Sequence, residues 1–451
     1  MSYCGYITTL KNVRPHPNAD RMKLADCFGN TVCVDLDAAE GEIGVYFPTD
    51  GQLSVEYCEK NNLVRRKDEA GNNVGGYLDP EKRNIRAINL RGEKSDGLFM
   101  PISSLEYTGV NFDDIDIGDT VVTVNGHEIC QKYIPKSADR VRATGGAGNR
   151  TRKRKDPIAP LFAEHADTEQ LAYNLSAFKP GDYVEITLKM HGTSQRTANL
   201  PIFQGYKRTL WDKIVRRTGT PIYEDGYVSG TRRVVLDSYD GGFYGSNEFR
   251  EQYHKLFEGR LWAGESVYYE VVGFTHARAP IMASCRNKKL NDKEFIKQYG
   301  DETVFSYGCK VDGMPFELSD IYVYRMTMTN KDGNVVEYTP DFMRYRCEQM
   351  GVKSVPVLWS GIIPENPGSV NDPTISAGEW IKNKAELFYD GADPIGKTHI
   401  REGVVVRIVN RPKFAAYKHK NFSFKVLEGL IKDLATAPDM EEADGLEEVE
   451  E

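Results

Sequence analysis

From Tyr183 to Met190 apolar and polar side chains alternate without a break: Val184, Ile186, Leu188 and Met190 on one side, Tyr183, Glu185, Thr187 and Lys189 on the other. A period of two predicts a strand with one face in the core. The strand runs into Lys189-Met190-His191-Gly192-Thr193-Ser194, where the glycine is expected to let the backbone turn sharply. That places a lysine at a strand end with small polar groups folded back beside it. A free lysine amine has a pKa of about 10.4 and is protonated at neutral pH. Desolvation, or a second cation close by, would release it as a nucleophile.

The first 130 or so residues follow another pattern. Residues 5–8, 31–34, 43–47 and 120–124 read as short strands separated by Gly, Asn and Asp turns. Many short strands of this kind predict a small closed β-barrel. Between the two regions, Gly145, Gly146 and Gly148 precede a basic run of Arg150, Arg152, Lys153, Arg154 and Lys155. The glycines read as a flexible linker, and the cations as an electrostatic hold on phosphates.

Composition narrows the class. The chain has 451 residues, enough for two or three domains. No apolar run approaches the roughly 18 residues of a membrane span, and the N-terminus has no signal-peptide core, so no membrane partner is expected. The eight cysteines form no Cys-x-x-Cys pair, which predicts reduced thiols in a cytoplasmic or nuclear protein rather than a zinc site. The net charge of −8 argues against a polyanionic partner until it is apportioned. Residues 439–451 carry eight acids and no Lys or Arg, so the preceding 438 residues are formally neutral. Such a tail is expected to be a disordered, solvating end.

Further segments follow the lysine in order: Ser229-Gly230-Thr231-Arg232-Arg233, Tyr268-Tyr269-Glu270-Val271-Val272-Gly273, Asp320-Ile321-Tyr322-Val323-Tyr324-Arg325, Arg401-Glu402-Gly403-Val404-Val405-Val406 and Lys418-His419-Lys420-Asn421. With Lys189 they resemble the ordered motif set of the covalent lysyl-nucleotidyl transferases, the superfamily of ATP-dependent RNA and DNA ligases and mRNA capping enzymes. The likeness spans about residues 180 to 426. A Lys-x-His-Gly spelling in place of Lys-x-Asp-Gly is similar to the RNA-repair and RNA-editing ligases. Near the N-terminus, Val13-Arg14-Pro15-His16-Pro17-Asn18-Ala19-Asp20-Arg21-Met22-Lys23-Leu24-Ala25 resembles the opening of tRNA-binding OB domains. On the bland reading, Pro and Asn only build a turn there and His16 need not touch RNA. An OB domain ahead of the transferase is the layout of the Naegleria-type RNA ligases, a group this chain closely resembles. DNA ligases and capping enzymes place theirs after it, where this sequence is expected to have no room.

The resemblance assigns roles. Lys189 would attack the α-phosphate of ATP, and Glu270 would hold the ribose hydroxyls. Arg232, with Arg233 as a register-shifted alternative, would lie near ribose and phosphates. Tyr322 and Tyr324 are expected on one strand face, with Tyr324 stacking on adenine. Glu402 would serve a magnesium or manganese ion, directly or through water. Lys418 and Lys420 would neutralise the α-phosphate and, by charge repulsion, lower the pKa of Lys189. His191 departs from the usual aspartate and leaves the number of metal ions open, while His276 and His399 lack metal-ligand spacing.

The expected fold is α+β: an OB-type barrel at 1–135, a basic linker at 136–160, and a ligase-type adenylyltransferase at 161–436 with ATP-grasp-like antiparallel sheets and flanking helices. Residues 437–451 form the acidic tail. The expected activity is that of a monomeric ATP-dependent RNA ligase that joins 3′-OH and 5′-phosphate RNA ends. A capping-type guanylyltransferase and a decayed RNA-binding adaptor are the alternatives.

Overall fold

A computed structural model describes residues 3–68, 71, 73–134, 157–215, 217–236, 239, 247–290, 292–368 and 374–432. The basic run at 150–155 and the acidic stretch at 439–451 lie outside the described residues. The chain divides into two compact units, Met1–Ile134 with Phe422–Leu430, and Pro135–Asn421 with Ile431–Glu451. The helix Phe422–Lys432, placed by the sequence reading at the end of the 161–436 region, thus sits largely with the first unit.

The first unit is built from short strands. Its main sheet orders Leu98–Pro101, Ile43–Phe47, Gly5–Thr9 and Thr120–Val121, and a second joins Lys11–Pro15, Met22–Cys27 and Asn30–Asp35. Ile7, Val45, Phe47, Leu53 and Tyr57 fill the core. The expected closed barrel is absent among the described residues: the ladders remain separate sheets. One reason is visible at Cys33, whose N–H donates to Ser95 Oγ at 3.1 Å, so a side chain occupies the place of a ladder bond. His16 is buried within the turn: its Nδ1 accepts the Asn18 N–H at 3.1 Å and its Nε2 lies 3.1 Å from Leu90 O. Both ring nitrogens therefore serve the protein, as the turn-building reading holds. Lys425 of the helix Phe422–Lys432 closes on Asp96 at 2.6 Å.

The second unit carries two antiparallel sheets that meet at the lysine motif. The smaller orders Glu169–Gln170, Ala415–Lys420, Gly403–Ile408, Tyr183–Lys189 and Val357–Ile362, with one parallel pairing at its edge. Val184, Ile186, Val404 and Val406 of this sheet bury against Ile381 and Ala385 of the helix Ala377–Glu386. The larger sheet runs Val235–Leu236, Thr220–Gly230, Thr193–Lys207, Glu265–Gly273, Ser319–Thr329 and Val335–Glu337, with Lys353–Ser354 alongside Ser319–Thr329. Val267, Tyr269, Val271, Ile321 and Val323 pack there against Phe249, Tyr253 and Phe257 of one helix and Met343, Cys347 and Met350 of another. All eight cysteines are free. Among the described residues no helix is long and apolar enough to cross a membrane.

A buried ion pair pins the second helix to the sheet. Arg346 donates from Nε to Glu265 Oε1 at 2.7 Å and from Nη2 to Oε2 at 2.8 Å. Tyr338 adds a hydroxyl at 3.1 Å, and Trp262 lies under the guanidinium at 3.9 Å. Substituting Arg346→Met should strand the Glu265 carboxylate in the core and cost about 3–5 kcal/mol, read as a lower urea midpoint. An unchanged midpoint would mean that solvent reaches the pair.

Candidate functional site

Lys189 is the last residue of the Tyr183–Lys189 strand, and Thr193 opens the first long strand of the other sheet. The motif is therefore the crossover from one sheet to the other. Gly192 lies at the bend between the two strands, where the sequence predicts a sharp turn, and the absence of a side chain there also serves close approach. A Cβ on it would stand 2.4 Å from Val271 O and 2.9 Å from Glu270 Cγ. Arg250, buried, fastens the exit strand by donating to Ser194 O at 3.0 Å and Thr193 Oγ1 at 2.6 Å.

A cleft opens beside the crossover, lined among others by Lys189, Arg232, Glu270, Tyr324 and Lys418. Five of the sequence-derived candidates thus share one cavity. Glu402 and Lys420 adjoin it through charge: Glu402 Oε1 lies 2.8 Å from Lys189 Nζ and 3.3 Å from Lys420 Nζ. Glu402 is 2% exposed. Burial on its own would raise its pKa, but Lys189, Lys420 and His191 outweigh that and hold the carboxyl well below the ordinary carboxylate range. The sequence reading foresaw repulsion among the lysines; the structure sets an anion between two of them. Gly403 permits this, since a Cβ there would meet His419 O at 2.1 Å. The Asn421 N–H also fixes Glu402 O at 2.8 Å.

His191 stands with Nδ1 3.5 Å from Glu402 Oε2, and its ring edge packs on Phe305 at 4.5 Å. Its backbone N–H donates to the Tyr307 hydroxyl at 2.7 Å. His399 is fully buried with Nδ1 2.9 Å from Ile400 O, and His276 lies 3.2 Å from Glu248. Among the described residues no group of three or more His, Cys, Asp or Glu side chains gathers as metal ligands do.

Tyr324 owes its place to a bulge. Val323 lies opposite Tyr269 and Arg325 opposite Tyr268, which leaves Tyr324 as the extra residue. It lines the cleft, with its hydroxyl 3.2 Å from Ser194 Oγ and 3.4 Å from His165 Nδ1. Tyr322 does not line it: its hydroxyl donates to Asp320 at 3.4 Å and Lys353 lies over its ring. Arg232 faces the cleft and donates from Nε to Asp167 Oδ1 at 2.9 Å, whereas Arg233 is half-exposed and 3.8 Å from the same carboxylate.

Several cleft residues escaped the sequence reading. Glu185 is buried, not on a solvated face, and pairs with Arg344 at 2.9 Å. His165 lies edge-on to Tyr324 at 5.5 Å. Burial, then Arg232 and Arg325, push its pKa down to about 3, so it is neutral. Arg196 is 1% exposed and ties both approaches together: Nε donates to Thr231 O at 2.9 Å, and Nη1 donates to Phe162 O and Ala163 O. It therefore positions Arg232 on one side and His165 on the other. Arg325, Phe414 and Arg407 stack in turn, with guanidinium-to-ring distances of 4.7 and 5.1 Å.

No protein-family model matches this chain, and neither does any curated protein. Solved structures do. A mutant Naegleria gruberi RNA ligase without ligand aligns with a TM-score of 0.53 and 16% identity, over 94% of this chain and 97% of that one. A mutant with ATP and manganese gives 0.51 and 16%, over 93% and 98%. The ligase with pyrophosphate gives 0.52 and 15%, over 93% and 97%. At this identity the likeness establishes a shared fold, across nearly the whole of both chains.

Proposed function

We propose that the chain is an ATP-dependent RNA ligase that works through a lysyl-AMP intermediate. The observation that carries this reading is the cluster of Lys189, Glu402 and Lys420 at the crossover of two sheets, beside the cleft that Lys189 lines. Support comes from the motif order and from a fold shared with a ligase solved with ATP, AMP and manganese. Lys189 Nζ attacks the α-phosphorus; a P–N bond forms, the bond to pyrophosphate breaks, and the amine gives up a proton. AMP then passes to an RNA 5′-phosphate, and a 3′-OH displaces it to close the strand.

The chain's own groups divide the remaining work. Tyr324 offers a ring to adenine, Glu270 accepts from the ribose hydroxyls, and Arg232, Lys418 and Lys420 face the phosphates. Glu402 fits a divalent ion: its buried Oε2 has His191 Nδ1 at 3.5 Å, too long for a strong hydrogen bond, and a carboxylate oxygen with retained waters suits magnesium or manganese. Such an ion, when bound, would draw negative charge from the phosphates. We assign residues 1–135, with an OB-like role, and the basic run at 150–155 to RNA capture, and residues 161–436 to adenylylation.

Incubation with α-labelled ATP followed by a denaturing gel tests the core of this reading. The wild type should take up label and Lys189→Ala should not; label persisting in that variant, or stronger labelling by GTP, would overturn it. Tyr324→Ala should raise the KM for ATP about five- to 150-fold, as loss of about 1–3 kcal/mol of base stacking implies, and Tyr324→Phe far less. Equal damage from both would point to the hydroxyl instead.

Neutral His165 makes a further mark on stability. Unfolded, it takes up a proton near pH 6.5; folded, not until about pH 3. The unfolded state binds more protons across that window, so stability rises with pH within it. Relative to His165→Gln, the wild type should lose stability as pH falls from about 6.5 toward 3, with no such divergence above it. Parallel urea midpoints across the window would show that the imidazole protonates freely in the fold.

A further inference from the structure

The strands Thr193–Lys207 and Thr220–Gly230 pair with each other from Arg196–Gly230 to Lys207–Thr220, but the neighbouring strand Glu265–Gly273 accompanies the first only as far as Ala198. From Leu200 outward the hairpin is a two-stranded arm, roughly 25 Å long at ~3.3 Å per residue. Its stem packs Leu200 and Val228 on Ala159 and Phe162. Farther out, Phe203 meets Tyr206 at 5.0 Å and Tyr223 at 5.9 Å, which stiffens the ribbon. The tip is the short helix Leu210–Ile214, held by a capping box between Thr209 and Asp212.

That helix turns its apolar side to water. Leu210 is 80% exposed, Trp211 65% and Ile214 72%. Exposed apolar groups that sit together mark a contact surface. The flanking residues decide the partner: residues 207–217 hold five Lys or Arg and one acid, in a chain of net charge −8. The lone acid, Asp212, is spent on the cap, accepting from Thr209 N at 2.9 Å and Oγ1 at 2.6 Å. Lys207, Arg208 and Arg217 are exposed. A second copy would bring like charges together. A nucleic-acid strand supplies what both parts need, phosphates for the cations and flat base faces for the indole.

We infer that this arm is an RNA-docking element, with Trp211 stacking on a base while Lys207, Arg208 and Arg217 hold the neighbouring phosphates. The inference rests on the proposed RNA substrate, and it places one contact on the strand that begins at the cleft with Thr193 and Ser194. RNA that reaches the arm would be gripped at a distance from the reacting ends, so the arm affects capture and not adenylylation.

The test uses the full chain and a fluorescent single-stranded RNA of about 30 nucleotides with a 5′-phosphate, followed by anisotropy. Trp211→Ala should weaken binding about five- to 150-fold, the span of one base–aromatic stack, with Trp211→Phe between the two. The pair Lys207→Gln and Arg217→Gln should make the salt dependence shallower by about 1.4, at ~0.7 per lost contact on a single strand. Label transfer from ATP to Lys189 should stay at the wild-type level in every variant, which also reports that the second unit is folded. RNA affinity within about twofold of wild type for Trp211→Ala, with label transfer intact, would overturn the inference and leave the ligase reading standing. A wild type that takes no label but loses RNA affinity on Trp211→Ala would sink the ligase reading and keep the arm. Binding to phosphatidylserine vesicles that Trp211→Ala abolishes, with RNA affinity unchanged, would make the tip a membrane contact and overturn the inference.

Discussion

A carboxylate with only 2% of its surface exposed is tolerable when opposite charge surrounds it, and Glu402 meets that condition by sitting between Lys189 and Lys420. Much of the second unit can be traced to this one requirement. The two lysines come from opposite ends of the motif series, so their strands must flank the strand that follows Glu402. Lys189 pairs with Gly403, and Gly403 with Lys420, in one sheet. The glycine between them lets the strands close to within a distance that no side chain would survive. The shared anion also offsets the repulsion between the ammonium groups. In the proposed reaction, Lys189 would act as nucleophile once Glu402 no longer holds its ammonium group.

On the larger sheet, buried arginines fix the chain path beside the crossover. Arg250 grips Thr193 and Ser194 just past the crossover, and Arg196 reaches from the same strand to the backbone beside His165 and Arg232. Guanidinium groups suit this task because their planar, fixed fork can bridge several carbonyls at once. Both reach backbone oxygens, so each fixes chain path as well as charge. A tie between the two sheets is Arg344, on a helix packed against the larger sheet, which pairs with Glu185 of the smaller one at 2.9 Å.

The legible part of the site was the part written in short local motifs. Lys189, Arg232, Glu270, Tyr324 and Lys418 all line one cleft, and each belongs to a segment with recognisable spacing. What escaped notice was set by long-range contact. Glu185 alternates like a surface residue, yet its face meets Arg344 from a distant helix. His165 lies in a stretch without periodicity, and its role depends on Arg196 some thirty residues on. The bulge at Tyr324 has no Gly or Pro to announce it. The turn at Gly192 is legible in the sequence, but the close approach it also allows, to a carbonyl in another strand, is not. In the first unit the strands were legible but their closure was not, because a single serine hydroxyl can replace a ladder bond without disturbing alternation.

Total charge was the least informative quantity, and the structure explains why. The cleft lining holds Lys189, Arg232, Arg407 and Lys418 against Glu185 and Glu270, a local excess of cations inside a chain of net charge −8. Arg344 pairs with Glu185 behind the cleft, as Asp167 does with Arg232 and Glu402 with Lys189. Field lines from charges lining a low-dielectric cleft are concentrated at its mouth, while acids on solvated surface are screened within about 10 Å at moderate salt. On the proposed function, a nucleotide triphosphate at the cleft would respond to these few groups more than to the net charge of the whole chain. Recognition of a polyanion is decided by where the cations are confined, and confinement is a property of the two-sheet crossover, not of composition.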